Sequence, residues 1–158
     1  MSFRYCIPSN LILMGSKKDQ EVMLKTAEIL ERLGVPFHME ISSAHRNPDK
    51  TRKLARDAEK KGIRVIIAGA GMAAHLPGVI ASFTTLPVIG VPLNASALSG
   101  VDSLFSMVQM PSGIPVATMA IGETGAKNAA IFAAEILALS DKQVKRSLDE
   151  FRKGLKGK

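Results

Sequence analysis

Residues 64–71 read "RVIIAGAG". An unbroken apolar run of this length, rich in β-branched residues and closed by small ones, is the pattern of a strand buried on both faces, as in the centre of a parallel sheet. The flanks support that reading. Before it, "NPDKTRKLARDAEKKG" (47–62) is a polar helix with Asn47 as N-cap, Pro48 at the first helical position and Gly62 at its end. After it, "AHLPGVIASF" (74–83) opens a short helix and "PVIGVPL" (87–93) is a further apolar strand.

The alternation continues in both directions. "NLILMG" (10–15) reads as a buried strand. "DQEVMLKTAEILERLG" (19–34) is a helix with Val22, Met23, Ala27, Leu30 and Leu33 at helical spacing, Asp19 placed to cap it and Gly34 to stop it. "PFHMEIS" (36–42) alternates, with Phe37, Met39 and Ile41 inward and His38 and Glu40 outward, so it reads as an edge strand with His38 on the surface. Toward the C-terminus come a helix in "GVDSLFSMVQM" (100–110), a strand in "PVATMAI" (115–121) and the alanine-rich helix "TGAKNAAIFAAEILALS" (124–140). The last is apolar around much of its circumference, which points to packing between subunits. A final helix runs from about Asp141 to Phe151, with Ser140 as its cap. Five strand–helix units in about 140 residues imply a three-layer, doubly wound α/β fold with a parallel sheet, most simply ordered 2-1-3-4-5.

At 158 residues the chain reads as a single domain, 1–158, with a basic C-terminal helix from about residue 141. A chain of this size buries roughly 70% of its unfolded surface and needs no disulfide. Its lone cysteine, Cys6, cannot form one internally, which fits a reducing, cytoplasmic setting; nothing near Cys6 in sequence would activate it as a nucleophile. No secretory leader follows Arg4, and no apolar segment is long enough to span a membrane. The net charge is +7, but residues 141–158 hold seven Lys/Arg against three Asp/Glu, so over half the excess is one solvated helix. With no Trp, one Tyr and no interleaved aromatic and basic face, nucleic-acid binding is not expected.

In a doubly wound sheet, ligands lie beyond the carboxyl ends of the strands, where strand order reverses. Here that is the gap between the first and third strands. The loops there are 15–19, 43–47 and 69–75. "MGSKKD" offers a close backbone approach at Gly15, the Ser16 hydroxyl, Lys17 and Lys18, and amides leading into a helix, a suitable anion site. Asp19 has two readings, helix cap or acceptor of sugar hydroxyls. "SSAHRNP" supplies Ser43, His45 and Arg46. Arg46 has the fork geometry for phosphate, and His45 has the imidazole chemistry for proton transfer near neutrality. The small residues of "GAGMAAHLPG" indicate that backbone passes close to something. Within it His75 is open to two readings, a structural hydrogen-bonded histidine and a functional one. No hydrolase elbow, metal-ligand spacing or cofactor motif is present. The residues alone point to a phosphorylated small molecule handled by acid–base chemistry without metal.

Taken in order, "MGSxxD", "SAHRxPD", "VIIAGAGxAAHLPG", "PVIGVP", "ALSGxDSLxSxVQMPxGxPVAT" and "GxxGAKNAA" are all present. From about Leu11 to Leu139 the chain resembles the class I 5-(carboxyamino)imidazole ribonucleotide mutases, the PurE family of de novo purine synthesis. The resemblance implies a flavodoxin-like subunit, a homo-octamer, and transfer of a carboxylate from the exocyclic nitrogen to carbon 4 of the imidazole. It implies that Ser16, Asp19 and Arg46 bind phosphate and ribose and that His45 is the general acid/base. Ser43, Ala70, Gly71, His75 and Leu76 would line the imidazole and carboxylate end, with Lys18 near the phosphate.

Two positions depart from the family pattern. Lys18 stands where serine is common, and Met72 where glycine is usual. If that glycine serves a positive φ, Met72 is strained; if it makes room, Met72 reshapes the pocket wall. Two other functions stay open: direct carboxylation of aminoimidazole ribonucleotide by free carbon dioxide, and a non-catalytic ribonucleotide-binding module that would not need His45.

Overall fold

The computed structural model describes residues 8–155; Arg4 and Cys6 lie outside them. The elements are β1 (Asn10–Met14), α1 (Gln20–Arg32), β2 (Phe37–Ile41), α2 (Pro48–Asp57), β3 (Val65–Gly71), α3 (Leu76–Ala81), β4 (Val88–Leu93), α4 (Val101–Val108), β5 (Ala117–Thr118), α5 (Glu123–Ala138) and α6 (Lys142–Lys153). All five strands are parallel, in the order β2-β1-β3-β4-β5. This is the doubly wound order read from the sequence.

Strand alternation divides the core into two layers. Ile12, Met14, Val65, Ile67, Ile89 and Val91 point to one face, under α1, α5 and α6. Leu11, Leu13, Ile66, Ala68, Ala70 and Val88 point to the other, against α2, α3 and α4. β3 is buried from Val65 to Ala70, which is why its sequence shows no polar phase. Gly34, at φ 70°, ends α1: its amide donates to the Glu31 carbonyl and that of Val35 to the Leu30 carbonyl. At Gly69 the reason for glycine is proximity, since a Cβ there would lie 2.3 Å from Met23 Sδ.

Four expectations are corrected. The fifth strand is only two residues long. Pro92 has no N–H, and its carbonyl accepts from the Gly122 amide, so the β4–β5 ladder closes soon after Gly90↔Thr118. Ile41 is not buried with Phe37 and Met39: those two pack on the core, while Ile41, last in β2, is 40% exposed. The cap of α6 is Asp141, not Ser140: Asp141 Oδ1 accepts from the amides of Gln143 and Val144, while Ser140 Oγ accepts from Arg64. The apolar circumference of α5 is largely used within the subunit. Ala126, Ala129, Ala130, Ala133 and Ala134 are buried where α5 lies between α1, α6 and the sheet; their small side chains allow that close approach. Asn47 caps α2 as expected, accepting from the Lys50 amide, with Pro48 following it.

Candidate active site

Three loops leave the carboxyl ends of β1, β2 and β3 and surround a cleft of about 570 Å³. Ser16, Lys18, Asp19, Ser43, His45, Arg46, Ala70, Gly71, His75 and Leu76 all line it. A larger concavity, about 870 Å³, opens at the opposite end of the sheet around Phe83, Leu86, Ile114 and Phe132. It has no histidine, and it lies at the amino ends of the strands, the wrong end for a ligand in this fold.

The first loop is built around Asp19. Its carboxylate is buried and does not cap α1. Instead Oδ2 accepts from the Ser16 amide at 2.8 Å and the Ser16 hydroxyl at 2.9 Å. The cap reading of Asp19 changes: its Oδ2 anchors Ser16, and a short 3-10 turn, Lys17–Asp19, leads into α1. Lys17 and Lys18 stand exposed at the rim.

The second loop is a tight turn. The Asn47 amide donates to the Ser43 carbonyl at 2.9 Å and the Arg46 amide to Ser43 Oγ at 3.2 Å. Ser43 thus organises the turn that presents His45 and Arg46 to solvent. Below it, the hydroxyls of Ser42 and Thr51 share a buried hydrogen bond of 2.8 Å. Arg46, Lys17 and Lys18 form no ion pair among the described residues, so three cations face the cleft mouth beside one buried carboxylate. That arrangement suits a phosphorylated ligand.

The third loop turns back over β1. His75 Nδ1 lies 2.9 Å from His45 Nε2, with the rings edge-to-face at a centroid distance of 4.9 Å. His75 is accordingly hydrogen-bonded, and its partner is the other histidine of the cleft. Met72, three residues earlier, has φ 57° and is 58% exposed. Of the two consequences foreseen for a non-glycine residue here, the backbone one is realised, and the side chain also lines the cleft. One wall residue was missed in the sequence: Ala95, after β4, whose Cβ would meet a Cβ on Gly71 at 2.4 Å. The run of small residues "NASALSG" (94–100) is the signal that could have revealed it. Among the described residues no group of three or more His, Cys, Asp or Glu side chains is gathered as a metal site.

The family described as AIR carboxylase matches residues 10–158. The chain belongs to this family. It is 59% identical over 142 residues to the N5-carboxyaminoimidazole ribonucleotide mutase of Escherichia coli strain K12, covering 90% of this chain and 84% of the relative. It is 56% identical to the Pyrococcus horikoshii protein of the same name, covering 93% and 82%, and 54% identical to that of Thermotoga maritima, covering 92% and 84%. The crystal structure of Treponema denticola PurE superposes with a TM-score of 0.86 at 29% identity, over 95% of this chain and 92% of that one. Sequence and fold place this AIR carboxylase family member with PurE proteins along almost its whole length.

Proposed function

We propose that the protein is an N5-carboxyaminoimidazole ribonucleotide mutase of purine biosynthesis, an isomerase yielding 4-carboxy-5-aminoimidazole ribonucleotide. The observation that carries this reading is a histidine beside three cations, Arg46, Lys17 and Lys18, at the sheet's switch point, in a chain 59% identical to a mutase.

In the proposed mechanism Arg46 and Lys18 hold the phosphate together with the Ser16 hydroxyl, which turns from Asp19 Oδ2 to donate to it, while Asp19 keeps the Ser16 amide and meets the ribose. Ser43, Ala70, Gly71, His75 and Leu76 bound the imidazole and carboxylate end. Cationic His45 gives its proton to the exocyclic nitrogen. The carbon–nitrogen bond of the carbamate breaks, nitrogen keeps the electron pair, and carbon dioxide is released within the cleft. The electron-rich carbon 4 then attacks that carbon dioxide and the new carbon–carbon bond forms. Neutral His45 removes the proton from carbon 4, restoring both the aromatic ring and the starting imidazolium. Held in place, carbon dioxide recombines in an effectively unimolecular step. One imidazole serves both proton transfers, and the scheme balances without a cofactor.

The enzyme is proposed to work in the cytoplasm as a homo-octamer. No described helix is long and apolar enough to cross a membrane. Assembly is supported by one apolar face at α4, where Leu98, Val101, Phe105 and Val108 are 45–63% exposed. Val101, Phe105 and Val108 recur at helical spacing, which argues for another copy against that side.

The family's description as a carboxylase makes direct carboxylation the competing reaction. Turnover of N5-carboxyaminoimidazole ribonucleotide in bicarbonate-free buffer, with labelled carbon dioxide then supplied, distinguishes the two. A mutase turns over and incorporates little label. Turnover of aminoimidazole ribonucleotide alone, with stoichiometric label in the product, would replace the mutase reading with the carboxylase.

A further inference from the structure

We propose that Lys50 is a positioning residue for the loop that carries His45, tying the end of β2 to the first turn of α2. The inference rests on the reading above, in which His45 performs the proton transfers.

Lys50 Nζ donates to the Ile41 carbonyl at 2.8 Å and lies 2.8 Å from Glu40 Oε1. Its own amide donates to Asn47 Oδ1 at 3.1 Å. One residue therefore grips both ends of the segment 42–47, which contains Ser43, His45 and Arg46. The geometry follows from the position of β2 at the sheet edge. The Ser42 amide bonds the Met14 carbonyl of β1. Successive residues of a strand point their polar groups to opposite sides, so the Ile41 carbonyl faces the sheet edge, away from every described strand. Lys50 supplies the donor that a further strand would have supplied.

Glu40 holds the ammonium in place. The Lys50 hydrogen bond keeps the Glu40 carboxyl below the ordinary carboxylate range, so it is an anion at neutral pH. Glu40 also contacts His38 at 3.2 Å. The pair is 30–40% exposed, and pairs of that exposure contribute little to global stability. Its effect is local. Among the described residues the only other side-chain tie between β2's end and α2 is the Ser42–Thr51 hydroxyl pair, which fixes the base of the loop but not its rim. Loss of Lys50 leaves the Ile41 carbonyl to water and lets the histidine drift. Misplacement of a reacting group by about 1 Å costs up to about 10²-fold in rate.

The test is steady-state turnover of N5-carboxyaminoimidazole ribonucleotide and thermal unfolding of the full chain and its Lys50→Met, Lys50→Arg, Glu40→Gln, Glu40→Gln/Lys50→Met and His45→Asn variants. Lys50→Met is expected to lower kcat about tenfold or more, with a thermal midpoint within about 3 °C of the parent. Lys50→Arg, which can meet both acceptors, restores most of the loss, and Glu40→Gln adds nothing once Lys50 is gone. Full activity of Lys50→Met beside an inactive His45→Asn overturns this inference alone. An Arg variant as slow as the Met variant, both with a lowered midpoint, reduces Lys50 to a stability contact and also overturns it. Full activity of His45→Asn overturns the function reading, and this inference with it.

Discussion

His45 and His75 are thirty residues apart in sequence, and their imidazoles share one hydrogen bond, Nε2 to Nδ1, of 2.9 Å. Such a contact needs one donor and one acceptor. It survives with one ring cationic and breaks when both are, because an imidazolium offers only donors. The contact therefore sets His75 against the imidazole that, in the proposed mechanism, moves a proton to nitrogen and takes one back from carbon. His45→Asn should lower kcat by between about 10² and 10⁴-fold while a product analogue still binds. His75→Phe removes one hydrogen bond to His45 and should cost about five- to tenfold, on the order of 1 kcal/mol. Unchanged turnover in His75→Phe would restrict His75 to a wall of the cleft.

The fold was legible because its signals are local. "VIIAGAG" can be little other than a doubly buried strand, and Asn47-Pro48 marks a helix start wherever it falls. The site was legible because polar residues gather at strand ends, so Ser16, Ser43, His45 and Arg46 could be named before any coordinates. The His45–His75 contact was not. The two histidines follow β2 and β3, which are not neighbours; their loops meet only by arching over the end of β1, between them. The shortness of β5 was hidden for a similar reason, since Pro92, a residue of another strand, ends its pairing. The direction of the Asp19 carboxylate was also invisible, because an aspartate before a helix serves equally as cap or as loop anchor until the turn is built.

Phosphate capture is tested at Arg46. It is exposed at the cleft mouth, without a carboxylate partner among the described residues. Arg46→Ala should weaken ribonucleotide binding by about 2 kcal/mol, the scale of one charge-assisted contact. Calorimetric titration with product, and separately with inorganic phosphate, should show the same loss. Equal affinity for parent and variant would place the phosphate elsewhere.

Glu40 yields a prediction in pH. Its carboxyl titrates below the ordinary value because Lys50 hydrogen-bonds it, opposed by partial burial and helped by His38. The folded state thus binds this proton less readily than the unfolded chain. The stabilisation is present above the unfolded carboxylate pKa and is lost as pH falls through the depressed folded value. Since the pair is partly exposed, Glu40→Gln should cost less than about 1 kcal/mol at neutral pH. The difference between parent and variant, followed by urea unfolding, should shrink as pH falls below the ordinary glutamate range and close once the pH is under the depressed folded value. A difference that persists to the lowest pH at which the protein stays folded would mean Glu40 stabilises through its packing, not its charge.

The α4 face predicts an assembly variant. Phe105 is 58% exposed at the centre of the apolar stripe formed with Val101 and Val108. Phe105→Lys should leave the subunit folded, since the side chain makes no core contact, and should shift light scattering from the octamer to smaller species. A stable monomer of the parent at micromolar concentration would contradict the assembly itself. An octamer in both proteins would move the interface to another face.

Met72 separates backbone from side chain. Its φ of 57° costs a β-carbon-bearing residue roughly 1–2 kcal/mol. Its side chain recovers little of this by packing, being 58% exposed. Met72→Gly relieves the strain but loosens the unfolded chain, a penalty of about 0.4–1 kcal/mol, so the net gain should be about 1 kcal/mol. Met72→Ala keeps the strain and removes the same contacts with ligand. In thermal unfolding the glycine variant should therefore melt above the alanine variant, with the parent near the latter. In turnover, both variants should change KM in the same direction if the thioether forms part of the wall around the substrate. Equal midpoints for the glycine and alanine variants would show that the positive φ carries no cost here. A KM changed by glycine alone would assign the effect to loop mobility instead of to contact.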